Sequence, residues 1–255
     1  FIRKNRDNRF FLYFATNDIH VPRVPHPRFA GVSSMGPRGD VILELDWTVG
    51  EIVKTIDELG LARNTLLIVT SDNGPVLDDG YMDDAVEKLG SHKPAGPLRG
   101  GKYSAFDGGT RIPFIVRWPG KIRAGKTDAL FSQIDLMASF ASLTGQELTS
   151  GAGPDSFNSL GTLTGKSEKG REWLVEQSLS GRLSIIKGDW KLIEPGPGPK
   201  IEHNTNIELG NDPGPQLYNL KTDIGERINL ASDHESRVNE LTGLLNSIRE
   251  NRSEK

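Results

Sequence analysis

Three short apolar runs punctuate the first half of the chain, and each has the length of a β-strand. They cover residues 10–15, 66–70 and 112–116, and turn-forming residues follow each run closely. Continuous apolar runs of this length are typical of strands that are buried on both faces of a sheet. We therefore expect three core strands in this half of the chain.

A longer segment between the first two runs has the periodicity of an amphipathic helix. Asp40 is the predicted N-cap of this helix, and Gly60 is the predicted stop after residues 40–59. The order strand, helix, strand predicts a βαβ unit. We therefore expect an α/β fold in which a mixed, largely parallel sheet is flanked by helices. The apolar positions at helical spacing are Ile42, Leu45, Val49, Ile52, Val53, Ile56 and Leu59.

A second helix is predicted over residues 133–144, and Gly145 closes it. The predicted apolar face consists of Ile134, Met137, Phe140 and Ala141. Residues 146–170 are rich in Gly, Ser and Thr, which indicates a boundary between two parts of the chain. We therefore divide the chain into a large α/β domain over residues 1–165 and a small α+β subdomain over residues 166–255.

The predicted subdomain has the pattern of a small antiparallel sheet covered by a helix. Residues 187–189 read as the turn of a β-hairpin, and the Pro/Gly-rich residues 195–215 predict a mobile loop. The predicted strands cover residues 173–175, 183–186 and 190–193, and the predicted closing helix covers residues 233–249.

Composition excludes several classes of protein. The 255 residues carry a formal net charge of −3 with no basic stripe, so nucleic acid is not an expected partner. No apolar run reaches about 18 residues, so we expect no membrane span. The chain has no cysteine, which excludes disulfides and thiolate metal sites.

The most informative polar residues follow the second apolar run. Asp72 and Asn73 come directly after residues 66–70, and Gly74 and Pro75 force the chain to turn there. A carboxylate beside a carboxamide offers hard oxygen ligands of the kind that Ca²⁺ or Mg²⁺ accepts. The alternative is an Asx-turn that merely ends the strand.

A second group of polar residues is suited to an oxyanion. In residues 99–102, Arg99 and Lys102 flank two glycines, so that a tetrahedral anion could approach the backbone beside a compact cation. The alternative for this tetrapeptide is a solvated surface turn. Further along, Asp107 and Arg111 flank Gly108 and Gly109.

These segments together resemble the formylglycine-dependent sulfatase family, the arylsulfatase branch of the alkaline-phosphatase-like superfamily. The resemblance includes an upstream segment that ends in a histidine, and further segments downstream, so that it covers nearly the whole chain. The matching segments are residues 10–22, 71–75, 98–102, 107–120, 133–137, 187–193 and 216–220.

The resemblance implies roles for particular residues. Asp72 and Asn73 match metal ligands, with Ca²⁺ as the expected ion and Mg²⁺ as an alternative. Lys102 matches a lysine that contacts sulfate oxygens and stabilises charge as the S–O bond breaks. His20 matches a histidine that protonates the leaving group, a task that suits imidazole because its ordinary pKa is near neutral.

Four further residues receive supporting roles by the same resemblance. His92 and Arg99 are candidate substrate contacts, although an exposed loop histidine and a structural arginine are the competing interpretations. Asp107 and Arg111 match an acidic and a basic residue of the family. For these two we favour an ion pair that supports the site over a direct part in catalysis.

The family nucleophile is a formylglycine made from the first residue of a Cys/Ser-x-Pro-x-Arg motif, and this sequence contains no such motif. We therefore expect the chain to be the carboxyl-terminal portion of a longer sulfatase that is inactive on its own. Its expected partners are a sulfated small molecule or glycan and the missing amino-terminal half. A degenerate paralogue is the competing explanation. The resemblance implies that the protein is exported (periplasmic or secreted) or lysosomal.

Two other functions compete with sulfate ester hydrolysis. A phosphomonoesterase or phosphodiesterase of the same superfamily is disfavoured by Asn73, because an amide is a poor ligand for a second Zn²⁺. A noncatalytic module that binds sulfated glycans is disfavoured because Trp118, Trp173 and Trp190 are expected in the core. Residues 76–97 and 195–215 are the expected determinants of specificity.

Overall fold

The computed structural model describes residues 1–253, and side chains as far as residue 250. Short 3₁₀ turns occupy Ile2–Asn5, Ala62–Asn64 and Gln133–Asp135. None of the helices in this range is both long enough and apolar enough to cross a membrane. The helices are α1 (Gly36–Glu58), α2 (Asp107–Thr110), α3 (Leu136–Thr144), α4 (Leu160–Leu163) and α5 (Glu235–Ser253). The strands are β1 (Leu67–Thr70), β2 (Phe114–Arg117), β3 (Trp173–Gln177), β4 (Leu183–Lys187), β5 (Trp190–Ile193) and β6 (Gln216–Asn219).

The sheet of the first half is smaller than expected. Strands β1 and β2 pair antiparallel, with Thr70 opposite Phe114, and a large parallel sheet is not formed by residues 1–253. The strand predicted at residues 10–15 is absent, so the predicted βαβ unit was wrong for the described chain. A strand requires a hydrogen-bonded neighbour, and no described segment pairs with residues 10–15. The fold is α/β with small antiparallel sheets.

Helix α1 confirms the amphipathic segment but begins earlier than expected. Pro37 lies in its first turn, where a missing N–H has no cost, and the helix therefore starts at Gly36. Asp40 is not the N-cap. Its buried carboxylate accepts hydrogen bonds from the backbone N–H groups of Gly31 (2.8 Å) and Ser33 (2.7 Å), which ties the preceding loop to the helix.

Helix α3 was predicted in nearly the right place, but two of the four residues of its predicted apolar face are exposed. Ile134 and Met137 are 50% and 48% exposed, whereas Asp135 and Ser139 are fully buried. The reason is a buried ion pair, in which the guanidinium of Arg171 donates to the carboxylate of Asp135. This pair joins residues on either side of the predicted domain boundary at residue 165. The division into two domains stays a prediction. Residues 254–255 of the predicted subdomain lie outside the described range.

The second half forms the predicted small antiparallel sheet. Its order is β3-β4-β5-β6, and β4 and β5 form the predicted hairpin, with Lys187 opposite Trp190. Helix α5 packs Leu241 and Leu245 against this sheet, as its apolar spacing predicted. The buried core between sheet and helix consists of Ile185, Leu192, Leu217, Leu241 and Leu245.

Candidate active site

The three motif segments of the first half pack against one another through their backbones. The N–H of Gly74 donates to the carbonyl of Gly109 (2.9 Å), and a Cβ at Gly74 would overlap the carbonyl oxygen of Gly108. The N–H of Lys102 donates to the carbonyl of Pro75 (2.9 Å), and a Cβ at Gly101 would also overlap that oxygen. Gly101 thus permits the chain to pack closely against Pro75. This role differs from the approach of an oxyanion to the backbone, which the sequence led us to expect.

Lys102 and His20 lie together at the surface of this packed unit. Lys102 Nζ lies 3.3 Å from His20 Nε2 and 3.0 Å from Asp79 Oδ2. His20 Nδ1–H donates to the carbonyl of Val21 (2.7 Å), which leaves Nε2 as the acceptor that faces the lysine. The His20 side chain is 60% exposed, so this face is open to a ligand.

Asp79 holds these groups and was missed by the sequence analysis. Its carboxylate accepts hydrogen bonds from Tyr103 Oη (2.7 Å) and Lys102 Nζ, and it lies 3.8 Å from His20 Nε2. The hydrogen bond from Tyr103 and the ammonium of Lys102 lower the pKa of Asp79, although burial opposes this shift. Burial disfavours the charged form of Lys102, but the hydrogen bond and the charge of Asp79 outweigh it and raise the lysine pKa. The ion pair is therefore charged at neutral pH.

The sequence offered little signal for this acid. Residues 76–97 contain four aspartates, at positions 78, 79, 83 and 84, and their spacing does not distinguish one from another. Asp83 is committed elsewhere, because its carboxylate accepts a 2.8 Å hydrogen bond from the buried guanidinium of Arg23. Only the tertiary structure selects Asp79 as the partner of Lys102.

Asp72 and Asn73 follow β1 at the turn, as predicted. Asp72 Oδ1 accepts the N–H of Asn73 (2.9 Å), and Asn73 Nδ2 donates to the carbonyl of Gly74 (2.8 Å). The turn is anchored further by Gln133 Nε2, which donates to the carbonyl of Ser71 (2.6 Å). Within the described part of the chain, no group of three or more His, Cys, Asp or Glu residues could hold a metal ion.

The guanidinium of Arg99 makes several contacts within the protein. Its guanidinium donates to both carboxylate oxygens of Glu208 (3.0 and 2.8 Å) and to the carbonyl of Glu226 (2.7 Å). It also lies over the ring of Phe106, 4.0 Å from the centroid. These contacts match the structural interpretation of Arg99, and they fasten residues 195–215 to the segment that leads to Lys102.

The other predicted supporting residues have distinct surroundings. Asp107 is buried and lies 3.6 Å from Nη1 of the half-exposed Arg111, so the two residues form the expected ion pair. His92 is exposed in its loop, where its backbone N–H donates to the carbonyl of Leu89. The strongest partner of Asp107 is Lys191 of β5, whose Nζ donates to Oδ1 at 2.7 Å.

Lys191 lies in a cluster of opposite charges in which Lys191, Asp107 and Glu226 are buried and the Glu176 side chain is 11% exposed. Its Nζ lies 3.4 Å from Glu176 and 3.3 Å from Glu226 in addition to Asp107. Burial disfavours the charged lysine, but the three carboxylates outweigh that penalty and raise the pKa of Lys191. Burial raises the pKa of Glu226 to about 7, against the opposing effect of Lys191. Sequence analysis did not single out Lys191, although it lies in one of the matching segments.

Comparison with known proteins places these features in a family. The family model described as Sulfatase matches residues 1–146. An N-acetylgalactosamine-6-O-sulfatase of Bacteroides thetaiotaomicron is 57% identical over 98% of this chain and 49% of its own length. Human arylsulfatase A is 32% identical over 89% of this chain and 45% of its own length.

A solved structure supports the same relationship. A protein from a study of glycosaminoglycan metabolism by Bacteroides thetaiotaomicron superposes with a TM-score of 0.95 at 57% identity, over 97% of this chain and 52% of that one. The chain thus spans about half the length of the relatives that it matches. With the family model covering more than half of its residues, the chain belongs to the sulfatase family.

Proposed function

We propose that this chain is part of a longer protein and that the whole protein hydrolyses sulfate esters. The observation that carries the proposal is the approach of Lys102 Nζ to His20 Nε2 at 3.3 Å, in a chain of the sulfatase family. A fixed cation beside an imidazole nitrogen can stabilise the charge on a sulfate ester and supply a proton to the departing alcohol.

His20 is the proposed proton donor. Its Nδ1–H is committed to the Val21 carbonyl, so a proton destined for the leaving oxygen must reside on Nε2, the nitrogen beside Lys102. Lys102 would donate hydrogen bonds to the sulfate and to the bridging oxygen, where negative charge grows as the S–O bond breaks. Asp79 would keep the lysine charged and in position while the substrate binds.

Asp72 and Asn73 are the proposed ligands of a divalent cation, with Ca²⁺ preferred over Mg²⁺. The donor chemistry fits, because a carboxylate and an amide provide hard oxygens. A bound cation would neutralise charge on the sulfate. Because Ca²⁺ takes six to eight ligands, the remaining ones must come from the rest of the protein or from water. The formylglycine nucleophile is likewise proposed to lie outside residues 1–255.

The proposed substrate is a 6-sulfated N-acetylgalactosamine unit of a glycan. The support is the name of the relative that is 57% identical over nearly all of this chain. Residues 76–97 are proposed to shape the sugar site, because Asp79 of this loop already contacts the Lys102 ammonium.

The remaining part of the same protein is the proposed partner of residues 10–15. Phe11, Tyr13 and Phe14 are 74%, 82% and 58% exposed in this segment, although its composition is that of a buried strand. We propose that the rest of the protein supplies the missing strand neighbours. The two halves would then meet close to His20, which follows this segment.

Hydrolysis of matched substrates by the full-length protein tests the proposal. We expect aryl sulfate and N-acetylgalactosamine 6-sulfate to be hydrolysed and the matched aryl phosphate to be a poor substrate. We expect negligible turnover from residues 1–255 alone. Preferential phosphate hydrolysis would favour the phosphoesterase alternative, and chelator-resistant glycan binding without turnover would favour the binding-module alternative.

A further inference from the structure

The sulfatase-like segment at residues 187–193 has no part in the proposed chemistry, yet it delivers a buried charge. Lys191 projects from β5, and its side chain is 0% exposed. Its Nζ contacts the carboxylates of Asp107, Glu176 and Glu226 at 2.7, 3.4 and 3.3 Å. One of these three, Asp107, belongs to the site motifs of the first half.

Such a cluster is a costly way to fill a core. Asp107 and Glu176 already outnumber the single ammonium, and Glu226 adds further negative charge as the pH rises through its pKa of about 7. Replacement of a whole buried ion cluster by hydrophobic residues is often neutral or stabilising. Arg111, at 3.6 Å from Asp107, offsets this excess only from a half-exposed position. Stability alone therefore gives a weak reason for Lys191, whereas the fixed geometry of its contact with Asp107 gives a stronger one.

The contact with Lys191 fixes the start of helix α2. Asp107 is the first residue of α2, and its N–H donates to the buried carboxylate of Glu226 at 2.6 Å. Two residues later the carbonyl of Gly109 accepts the N–H of Gly74 at 2.9 Å. Gly74 adjoins Asn73, so a shift of α2 would move the proposed metal ligands directly.

The same cluster also reaches the segment that carries Lys102. Arg99 donates to the carbonyl of Glu226, and its own carbonyl accepts the N–H of Gly108 at 2.8 Å. Asp107 is thus tied to Glu226, which contacts Lys191, and Gly108 is tied to Arg99, which contacts the carbonyl of Glu226. Through these contacts, the carboxyl-terminal sheet reaches both the Asp72–Asn73 turn and the segment that carries Lys102.

We propose that Lys191 is a positioning residue of the sulfatase site, which holds Asp107 and helix α2 so that the Asp72–Asn73 turn keeps the geometry that a divalent cation requires. This inference rests on the proposed function. It assigns a role in the site to a strand that lies in the other half of the chain.

Lys191→Met in the full-length protein is the principal test, because methionine matches the length of the lysine and removes its charge. Lys187→Met is the matched control, since Lys187 lies in the same hairpin but pairs with the surface residue Glu240 at 3.1 Å. Ca²⁺ binding is measured by titration calorimetry, and kcat and KM are measured with an aryl sulfate. We expect Lys191→Met to weaken Ca²⁺ binding, with a Kd that is higher by roughly 10-fold or more, and to lower kcat by a similar factor. We expect Lys187→Met to change neither.

A merely structural role predicts a different result. Partial unfolding would lower the number of Ca²⁺ sites per chain but leave the Kd of the folded molecules unchanged. An unchanged Kd and an unchanged kcat per Ca²⁺ site in folded Lys191→Met would overturn the inference. If this variant does not fold, Asp107→Asn decides by the same measurements, because it removes the charge that Lys191 holds and keeps an oxygen acceptor.

Failure of the proposed function would look different again. A wild-type protein that binds Ca²⁺ but does not hydrolyse sulfate esters would contradict the sulfatase proposal, while the Kd of Lys191→Met would still judge the positioning role. A wild-type protein that binds no Ca²⁺ would overturn the inference.

Discussion

Lys102 Nζ and His20 Nε2 face each other at 3.3 Å, although 82 positions separate the two residues in sequence. Asp79 lies 3.0 Å from the first atom and 3.8 Å from the second, so that one carboxylate serves both groups. The lysine can stay charged beside the imidazole because of this carboxylate. The following predictions concern the full-length protein.

Lys102→Ala is expected to lower kcat for sulfate esters by roughly 10²- to 10³-fold, since it removes the cation that stabilises the leaving-group oxygen. Steady-state kinetics with an aryl sulfate checks this. Lys126→Ala, at an exposed lysine in a distant loop, is the control and should retain full activity. Loss of less than threefold in the Lys102 variant would remove this residue from the mechanism.

Asp79→Asn is expected to tighten inhibition by inorganic sulfate severalfold. In the wild-type protein, the carboxylate of Asp79 competes with an incoming anion for Lys102. Asparagine at this position removes the charge but keeps an acceptor for the hydroxyl of Tyr103. We also expect kcat to fall, because Lys102 loses its ionic anchor. Asp78→Asn makes the same change of charge at the exposed neighbouring position and should alter neither quantity. Equal effects in both variants would indicate a general field rather than the specific contact.

Asp72→Ala is expected to weaken Ca²⁺ affinity at least 10-fold, because it removes the only carboxylate of the turn. The Ca²⁺-dependent rise in Tm is the measurement, and it should shrink at a fixed Ca²⁺ concentration. Asp128→Ala, at an exposed aspartate, is the control. A full thermal response in the Asp72 variant would place the cation elsewhere.

Glu226→Gln is expected to stabilise the protein at alkaline pH and to matter little in acid. Burial raises the pKa of Glu226 to about 7 from its ordinary value of 4.5. As the pH rises through this interval, Glu226 loses its proton in the unfolded chain before it does so in the native protein. The free energy of unfolding of the wild-type protein therefore falls. The advantage of the variant should grow by about 2 kcal/mol from about pH 5 to about pH 8.

Thermal unfolding at several pH values measures this difference. Glu240→Gln is the control, because Glu240 is exposed and the hydrogen bond from Lys187 lowers its pKa, the opposite direction. A Glu226 variant whose Tm advantage is independent of pH would contradict the assignment.

Local pattern predicted much of the secondary structure. The β4–β5 hairpin, strand β1 and helices α1 and α5 lie close to where the spacing of apolar residues placed them, and the hairpin and α5 bury their apolar faces against each other. Residues 10–15 have the same apolar character but no neighbouring strand, and they form none. The inward face of α3 was also wrong, because a buried Arg171–Asp135 ion pair outweighed the apolar periodicity.

The sequence by itself determined the family and the residues that define its motifs, since Asp72, Asn73, Lys102 and His20 lie in runs whose order and spacing are specific. The tertiary structure alone selected Asp79 among four loop aspartates and placed Lys191 against Asp107. Motif residues are recognised from their neighbours in the chain, whereas the strength of an ion pair depends on distance and burial. Distance and burial are set here by contacts between residues that are 23 positions apart for Asp79 and Lys102 and 84 positions apart for Asp107 and Lys191.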